Sequence, residues 1–338
     1  MSRAGATAPV RYSTLVATVT AALAGVLIGV ALTTTAPVPG VANAGAVVSV
    51  AIPVVRVLLD LAAVITVGLC LLPVLVGYDR PKLTEPVLAR ARLAAFAAAL
   101  VWAIAAVATL VLQTAEYRAR TIGFGDIWDY VVHVGAGTAL LAVAVLALAH
   151  AGVGMLALRH GEKVPAELRA GLGLFALLPL PVTGHASDWA HRDYTMISIE
   201  LHVMSAVAWT GGLGAMAALL IGNRTLLARA LPRFSKLATL CLALSVVTGL
   251  VNAGAEILLD PATGFWTALL TTAYGWLVLL KVLCAIVIGL LGATLRWRLL
   301  PRIVRHERTA LATWASLELT TMGLAFGLAV VLTRAPIT

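Results

Sequence analysis

Charge is what this 338-residue chain has least of: 12% of its residues are Asp, Glu, Lys or Arg, while 61% are hydrophobic. Mean hydropathy is +1.00. An ordinary soluble domain carries about twice that share of charge, so this class is excluded. Cysteine is scarce too. Cys70, Cys241 and Cys284 fall singly in different apolar runs, with no CxxC pair and no disulfide spacing. They read as small buried apolar residues. The chain also lacks GxxxxGK[ST], HExxH and GxSxG. No ATP-driven pump is indicated, nor any nucleophile with an orienting base, so the expectation is a protein that is not an enzyme.

What the chain has instead is length of apolar sequence. A bilayer core takes roughly 20 apolar residues per helix, and unpaired backbone amides are not tolerated in lipid. Helices are predicted at 13–33, 50–77, 89–114, 127–158, 167–183, 195–222, 236–257, 273–295 and 310–332. The fold class is therefore all-α, a polytopic transmembrane bundle of about nine helices. It becomes eight if the first is removed, because Arg3, Arg11, an apolar run and Ala42-Asn43-Ala44 also fit a signal peptide. The second and fourth helices exceed the usual span, which predicts tilt or protruding ends. Pro179 and Pro181 predict a kink or an unwound end in the fifth.

Basic residues give the orientation. Of the 24 Lys and Arg, 18 lie in the N-terminus and the even-numbered loops, from Arg3 to Arg308. The opposite side holds Arg118, Arg120, Arg192 and Arg334. The positive-inside bias predicts a multi-pass protein of the cytoplasmic (inner) membrane, N-terminus in the cytoplasm and C-terminus outside. It also explains the net charge of +9 as loops beside anionic lipid, with no nucleic-acid partner.

An ionisable group within a span costs roughly 2.5–3.5 kcal/mol on insertion scales and must face protein or water. Arg56 and Asp60, four apart, are placed to pair with each other. Lys281 and Glu318, counted from opposite faces, come out at similar depth and predict a second ion pair, or an ion-coupling relay. Polar groups are otherwise densest around the start of the sixth span, at His185, Asp188, His191, Met196, Glu200 and His202. His133 and His202, each six or seven residues inside the predicted outer end of a helix, come out roughly 9–11 Å deep. Two imidazoles at one depth, with His185 closing from above, would suit copper or zinc, and thioether sulfur from Met196 or Met204 would favour Cu(I). The same pair is also what axial ligation of a b-type haem needs, which leaves a membrane oxidoreductase open. Asn252 and Glu256 share a face of the seventh helix and extend a polar approach path from Glu200. Gly211, Gly212 and Gly214 beside Trp209 predict a close helix crossing.

Several motifs in order carry a family resemblance. Gly184-His185-Ala186, then His202, Ala208-Trp209-Thr210-Gly211-Gly212-Leu213, Arg233-Phe234-Ser235-Lys236-Leu237-Ala238, Thr248-Gly249, Tyr274-Gly275 and Lys281 resemble the CopD/YcnJ copper-resistance membrane proteins over about 184–333. The N-terminal half matches only in its run of helices. Four segments follow: 1–45, first helix or signal-like segment with an outer loop; 46–183, an N-terminal helical half; 184–333, a CopD-like membrane domain; and 334–338, a short outer tail. The resemblance implies copper import across the inner membrane, beside a CopC-type outer carrier. A copper chaperone or assembly factor for a respiratory oxidase is the other reading. His185, His202 and His133 are the expected ligands, with His191, Asp188 and Met196 as capture residues. No ligand set is apparent toward the cytoplasmic half.

Overall fold

A computed structural model of the chain describes residues 7–33, 45–184, 192–258, 264–305, 307 and 310–335. Its helices are α1 (Thr7–Thr33), α2 (Ala46–Val76), α3 (Pro81–Arg118), α4 (Phe124–His133), α5 (Gly135–His160), α6 (Ala166–Phe175), α7 (Arg192–Leu219), α8 (Arg224–Leu258), α9 (Phe265–Thr271), α10 (Ala273–Thr294), α11 (Leu300–Val304) and α12 (Leu311–Leu332). Among the described residues, nine segments are long and apolar enough to cross a membrane. Leu100, Ile104, Leu148, Val247, Leu250, Ile286 and Leu290 remain exposed around the bundle, as side chains facing lipid do.

The centre of the bundle is α2, which packs on α3, α6, α7, α8 and α12. Leu59, Ala63, Val67, Leu72 and Val76 along it are fully buried. Its crossing with α7 is set by Gly68 and Gly211: a Cβ on either would fall inside the other helix's backbone. Gly212 lies against the Phe234 ring of α8, where a Cβ would come within 3.0 Å. The close approach predicted beside Trp209 is thus formed. The first and last helices run together in the same way. A Cβ on Gly323 or Gly327 of α12 would strike the Thr18 or Ala22 carbonyl of α1, and Thr14 and Ser316 hydroxyls meet at 2.5 Å.

Helix ends carry the charge. At one end Arg92 and Arg169, both buried, share Glu162 at 2.7 and 2.8 Å, and Arg92 also pairs with Glu85. Arg229 holds Asp79 at 2.5 Å. Tyr78 donates to Glu167 at 3.0 Å, and burial, then that carboxylate, push its phenol up to about 12. At the other end Arg118 pairs with Asp126 and Asp129, and Arg334 with Glu116. The expected Arg56–Asp60 pair is present at 3.3 Å, and Arg56 also donates to Thr183 at 2.7 Å.

Two expectations are corrected, and one is met between them. The predicted helix 127–158 is broken at Val134, whose backbone is extended, between α4 and α5. Gly137 permits the break, because a Cβ there would collide with the Tyr130 carbonyl and ring as α5 folds back on α4. The fifth span unwinds as its prolines predict, α6 giving way after Phe175 to turns and a 3-10 turn at Leu180–Thr183. Lys281 and Glu318 form no ion pair, although both are described. Glu318 sits beside Gly292 of α10, where a Cβ would be 3.8 Å from its Oε1. Gly292 is eleven residues, roughly 16 Å, along α10 from Lys281. Depth counted inward from two loops ignored this register.

Candidate functional site

A polar seam joins α7 to α8. Ser198, His202 and Ser205 are spaced by four and three residues, so they share one face of α7. Ser245, Thr248 and Asn252 share the facing side of α8 by the same rule. Ser198 Oγ donates to the Thr248 carbonyl at 3.3 Å, and the Ser205 and Ser245 hydroxyls meet at 2.9 Å. Between them His202 Nδ1 lies 3.1 Å from the Ser245 carbonyl and 3.1 Å from Thr248 Oγ1.

That arrangement fixes the imidazole's protonation. The Ser245 carbonyl can only accept, and the Thr248 hydroxyl spends its own hydrogen on the Leu244 carbonyl at 2.6 Å. Nδ1 therefore carries the N–H, and in the neutral ring Nε2 keeps a lone pair, with no partner among the described residues. An imidazole oriented by its other N–H on a backbone carbonyl is the usual posture of a metal-binding histidine. Gly249 leaves room for the ring, since a Cβ there would be 3.4 Å from Cε1. From α10, Lys281 is the charged neighbour of this imidazole.

The other expected residues fall in different places. His133 ends α4 before the fourth span begins, with its side chain exposed and Nδ1 2.9 Å from Asp129. Its helix packs on α3 and α5, whereas His202 faces α8. No contact among the described residues brings the two imidazoles together, so the structure gives no support to a haem between them. His185, Asp188 and His191 lie outside the described residues. Met196 and Glu200 are half-buried on α7, but six and two residues from His202 they point to other sides of the helix. Asn252 continues the seam, its buried Oδ1 unpartnered. Glu256 follows one turn later in α8, and its side chain is outside the described residues. Glu318 is buried on α12, approached by the Trp209 indole without closing a good hydrogen bond. Among the described residues, no three His, Cys, Asp or Glu side chains converge on one metal position.

Two features went unread in the sequence. One is the serine and threonine lining of the seam, because hydroxyls at helical spacing also arise from ordinary helix packing. Only Thr248 stood within a recognised motif. The other is Cys70, whose Sγ lies 3.6 Å from His150 Nε2 in the interior. A cavity of about 330 Å³ also opens at the Arg334 end of the bundle, lined by Arg56, Gln113, Glu116, Thr183, Thr333 and Arg334 among others. Near it, Asp126 holds the turn into α4. The Gly123 backbone N–H, then Arg120 and Arg118, keep its carboxyl below the usual aspartate range.

Residues 46–192 match the family model described as copper resistance protein D-like, N-terminal domain, and residues 228–332 match copper resistance protein D. The first match covers the half that had carried only a general run of helices. No curated protein and no solved structure matches the chain. The two matches fall in order on one bundle, with the His202 seam running from the segment between them into the second: the chain belongs to the CopD copper-resistance family of membrane proteins.

Proposed function

We propose that this protein carries copper across the cytoplasmic membrane toward the cytoplasm, and that His202 Nε2 is the ion's first ligand within the bundle. The single observation behind this is the placement of His202 Nδ1 3.1 Å from the Ser245 carbonyl and from Thr248 Oγ1, which leaves Nε2 as the electron-pair donor inside a polar seam. Imidazole nitrogen is a good ligand for copper. The N-terminus is assigned to the cytoplasm from the basic-loop asymmetry, which puts His202 in the outer half of α7, about ten residues from its start. His185, Asp188 and His191, just before α7, and Met196 in its first turns serve as capture residues that take the ion from a CopC-type carrier. His133, at the same end and exposed, is an outer contact for the ion rather than a partner of His202.

Asn252 and Glu256 continue the seam along α8 toward that end, whereas Glu200, two residues from His202, faces another side of α7. Lys281 keeps a positive charge beside the ion, which weakens holding and favours onward movement. Membrane potential drives a cation inward by roughly 2.3 kcal/mol per charge per 100 mV. No covalent chemistry is required, so the protein acts as a carrier and not as an enzyme.

Copper accumulation in cells with and without the chain tests this, together with His202→Ala. Accumulation that depends on the chain and on His202 supports carriage. Equal copper with and without the chain, alongside a defect in oxidase assembly, would replace carriage by a chaperone role.

A further inference from the structure

Cys70 on α2 and His150 on α5 are each only 1% exposed, and they meet away from the His202 seam. Cys70 Sγ stands 3.6 Å from His150 Nε2, while the buried His150 Nδ1 has no partner. Gly173 of α6 closes the third side, where a Cβ would lie 3.5 Å from the ring's Cε1. A buried imidazole with one nitrogen on a thiol and the other without a partner is held there by a single weak hydrogen bond. Such orphaned atoms are rare enough to need a reason.

We propose that Cys70 and His150 form a second, inner site that binds Cu(I) between Sγ and Nε2. This rests on the reading of the chain as a copper carrier and supplies the ligands that the inner half otherwise lacks. The donor set is right: thiolate with imidazole in a dry setting selects a soft ion. The spacing is within reach of both donors. With bonds of about 2.3 and 2.0–2.1 Å, a linear two-coordinate ion needs the donors about 4.3 Å apart, so the 3.6 Å pair opens by about 0.7 Å as the ion replaces the thiol proton.

Charge favours the monovalent ion. Arg169 acts electrostatically on both groups, with Glu162 at 2.8 Å as its counter-ion. The charges of that pair offset each other, and a thiolate with Cu(I) is a neutral unit, the kind an interior tolerates. A divalent ion would leave an uncompensated charge. Zinc is disfavoured further because it wants four donors, and no third His, Cys, Asp or Glu joins these two among the described residues. In the binding step the Cys70 S–H bond breaks, S–Cu and N–Cu bonds form, and one proton leaves for water with no change of oxidation state.

Position completes the argument. Gly68 meets Gly211, nine residues beyond His202 on α7, and Cys70 is two residues beyond Gly68, so it lies roughly 16 Å further along the bundle than the outer ligand. It is six residues, about 9 Å, from the end of α2 that the basic loops assign to the cytoplasm.

The test is Cu(I) titration of purified full-length protein under anaerobic conditions against a chromogenic Cu(I) chelator, followed by copper-edge X-ray absorption. Wild type is expected to show a sulfur scatterer and to release one proton for the ion bound there. Cys70→Ser and His150→Asn should each lose one Cu(I) equivalent, and Cys70→Ser the sulfur signal; Cys241→Ser with Cys284→Ser should keep both, while His202→Gln should lose the outer equivalent and keep the sulfur signal. Unfolding midpoints of all variants are measured alongside, and the wild-type spectrum decides alone if Cys70→Ser does not fold: no sulfur scatterer in wild type overturns the site. Unchanged stoichiometry and sulfur signal in a folded Cys70→Ser also overturns it, while copper retained on nitrogen ligands leaves the carrier reading standing. If wild type takes up no copper, the carrier reading itself falls.

Discussion

Thr248→Val isolates the hydroxyl that helps hold His202. Valine keeps the shape of threonine and removes the Oγ1 that stands 3.1 Å from Nδ1. The Ser245 carbonyl at 3.1 Å remains, so the Nδ1–H is not left without an acceptor. One neutral hydrogen bond is worth about 1 kcal/mol, which is roughly a fivefold loss in copper affinity if it acts only through ring orientation. Groups that orient a metal-binding histidine typically cost 10–100-fold when removed, and with one acceptor left the expectation is the lower edge, about 5–10-fold. Thr248→Ser keeps the hydroxyl and should stay near wild type. Ser245→Ala breaks only the Ser205–Ser245 pair at 2.9 Å, since the acceptor for His202 is a backbone carbonyl, and should change affinity less than about threefold. The assay is chelator competition on purified protein. Equal affinities for Thr248→Val and wild type, or a larger effect from Ser245→Ala, would refute the reasoning that the α8 face sets the tautomer.

Other outcomes follow from packing and charge. Gly211→Leu should push α7 off α2 and destabilise the protein by at least the roughly 1–3 kcal/mol usual for overpacking, read as a lower thermal midpoint in detergent, whereas Gly214→Ala, with its nearest contact at 3.8 Å, should be near neutral. Glu162→Gln leaves the buried Arg92 and Arg169 without the carboxylate they share and should cost on the order of 3 kcal/mol in chemical unfolding. The turn into α4 has a definite acid limit. Asp126 is depressed in the folded state, so its contribution is complete above the ordinary aspartate value of about 3.9 and is lost as pH falls through the lower folded value. Hydrogen-exchange protection over 123–133, taken relative to the intrinsic rate at each pH, should therefore be unchanged from pH 7 to 5 and fall only below about 4; a fall near pH 6 would contradict this.

The spans were legible because lipid leaves the backbone no alternative to the helix, so length and hydropathy suffice. Arg56–Asp60 was legible because a four-residue spacing fixes both partners on one helix. Gly211 pointed correctly to a crossing, although not to Gly68 as its partner. What failed was register between helices. The Lys281–Glu318 pairing and the meeting of His133 and His202 both came from counting residues inward from assumed ends. An extended Val134 and the α10–α12 register undid both. Cys70 and His150 are 80 residues apart and each looks like packing alone. Only the fold shows that they touch.

Uptake into proteoliposomes tests the central claim most directly: purified wild type and His202→Ala, reconstituted separately, with copper outside and an inside-negative potential. The account requires potential-dependent copper accumulation by wild type and its loss in a His202→Ala protein that retains the wild-type unfolding midpoint. Accumulation that is equal in the two, or no greater than in protein-free vesicles, would contradict it.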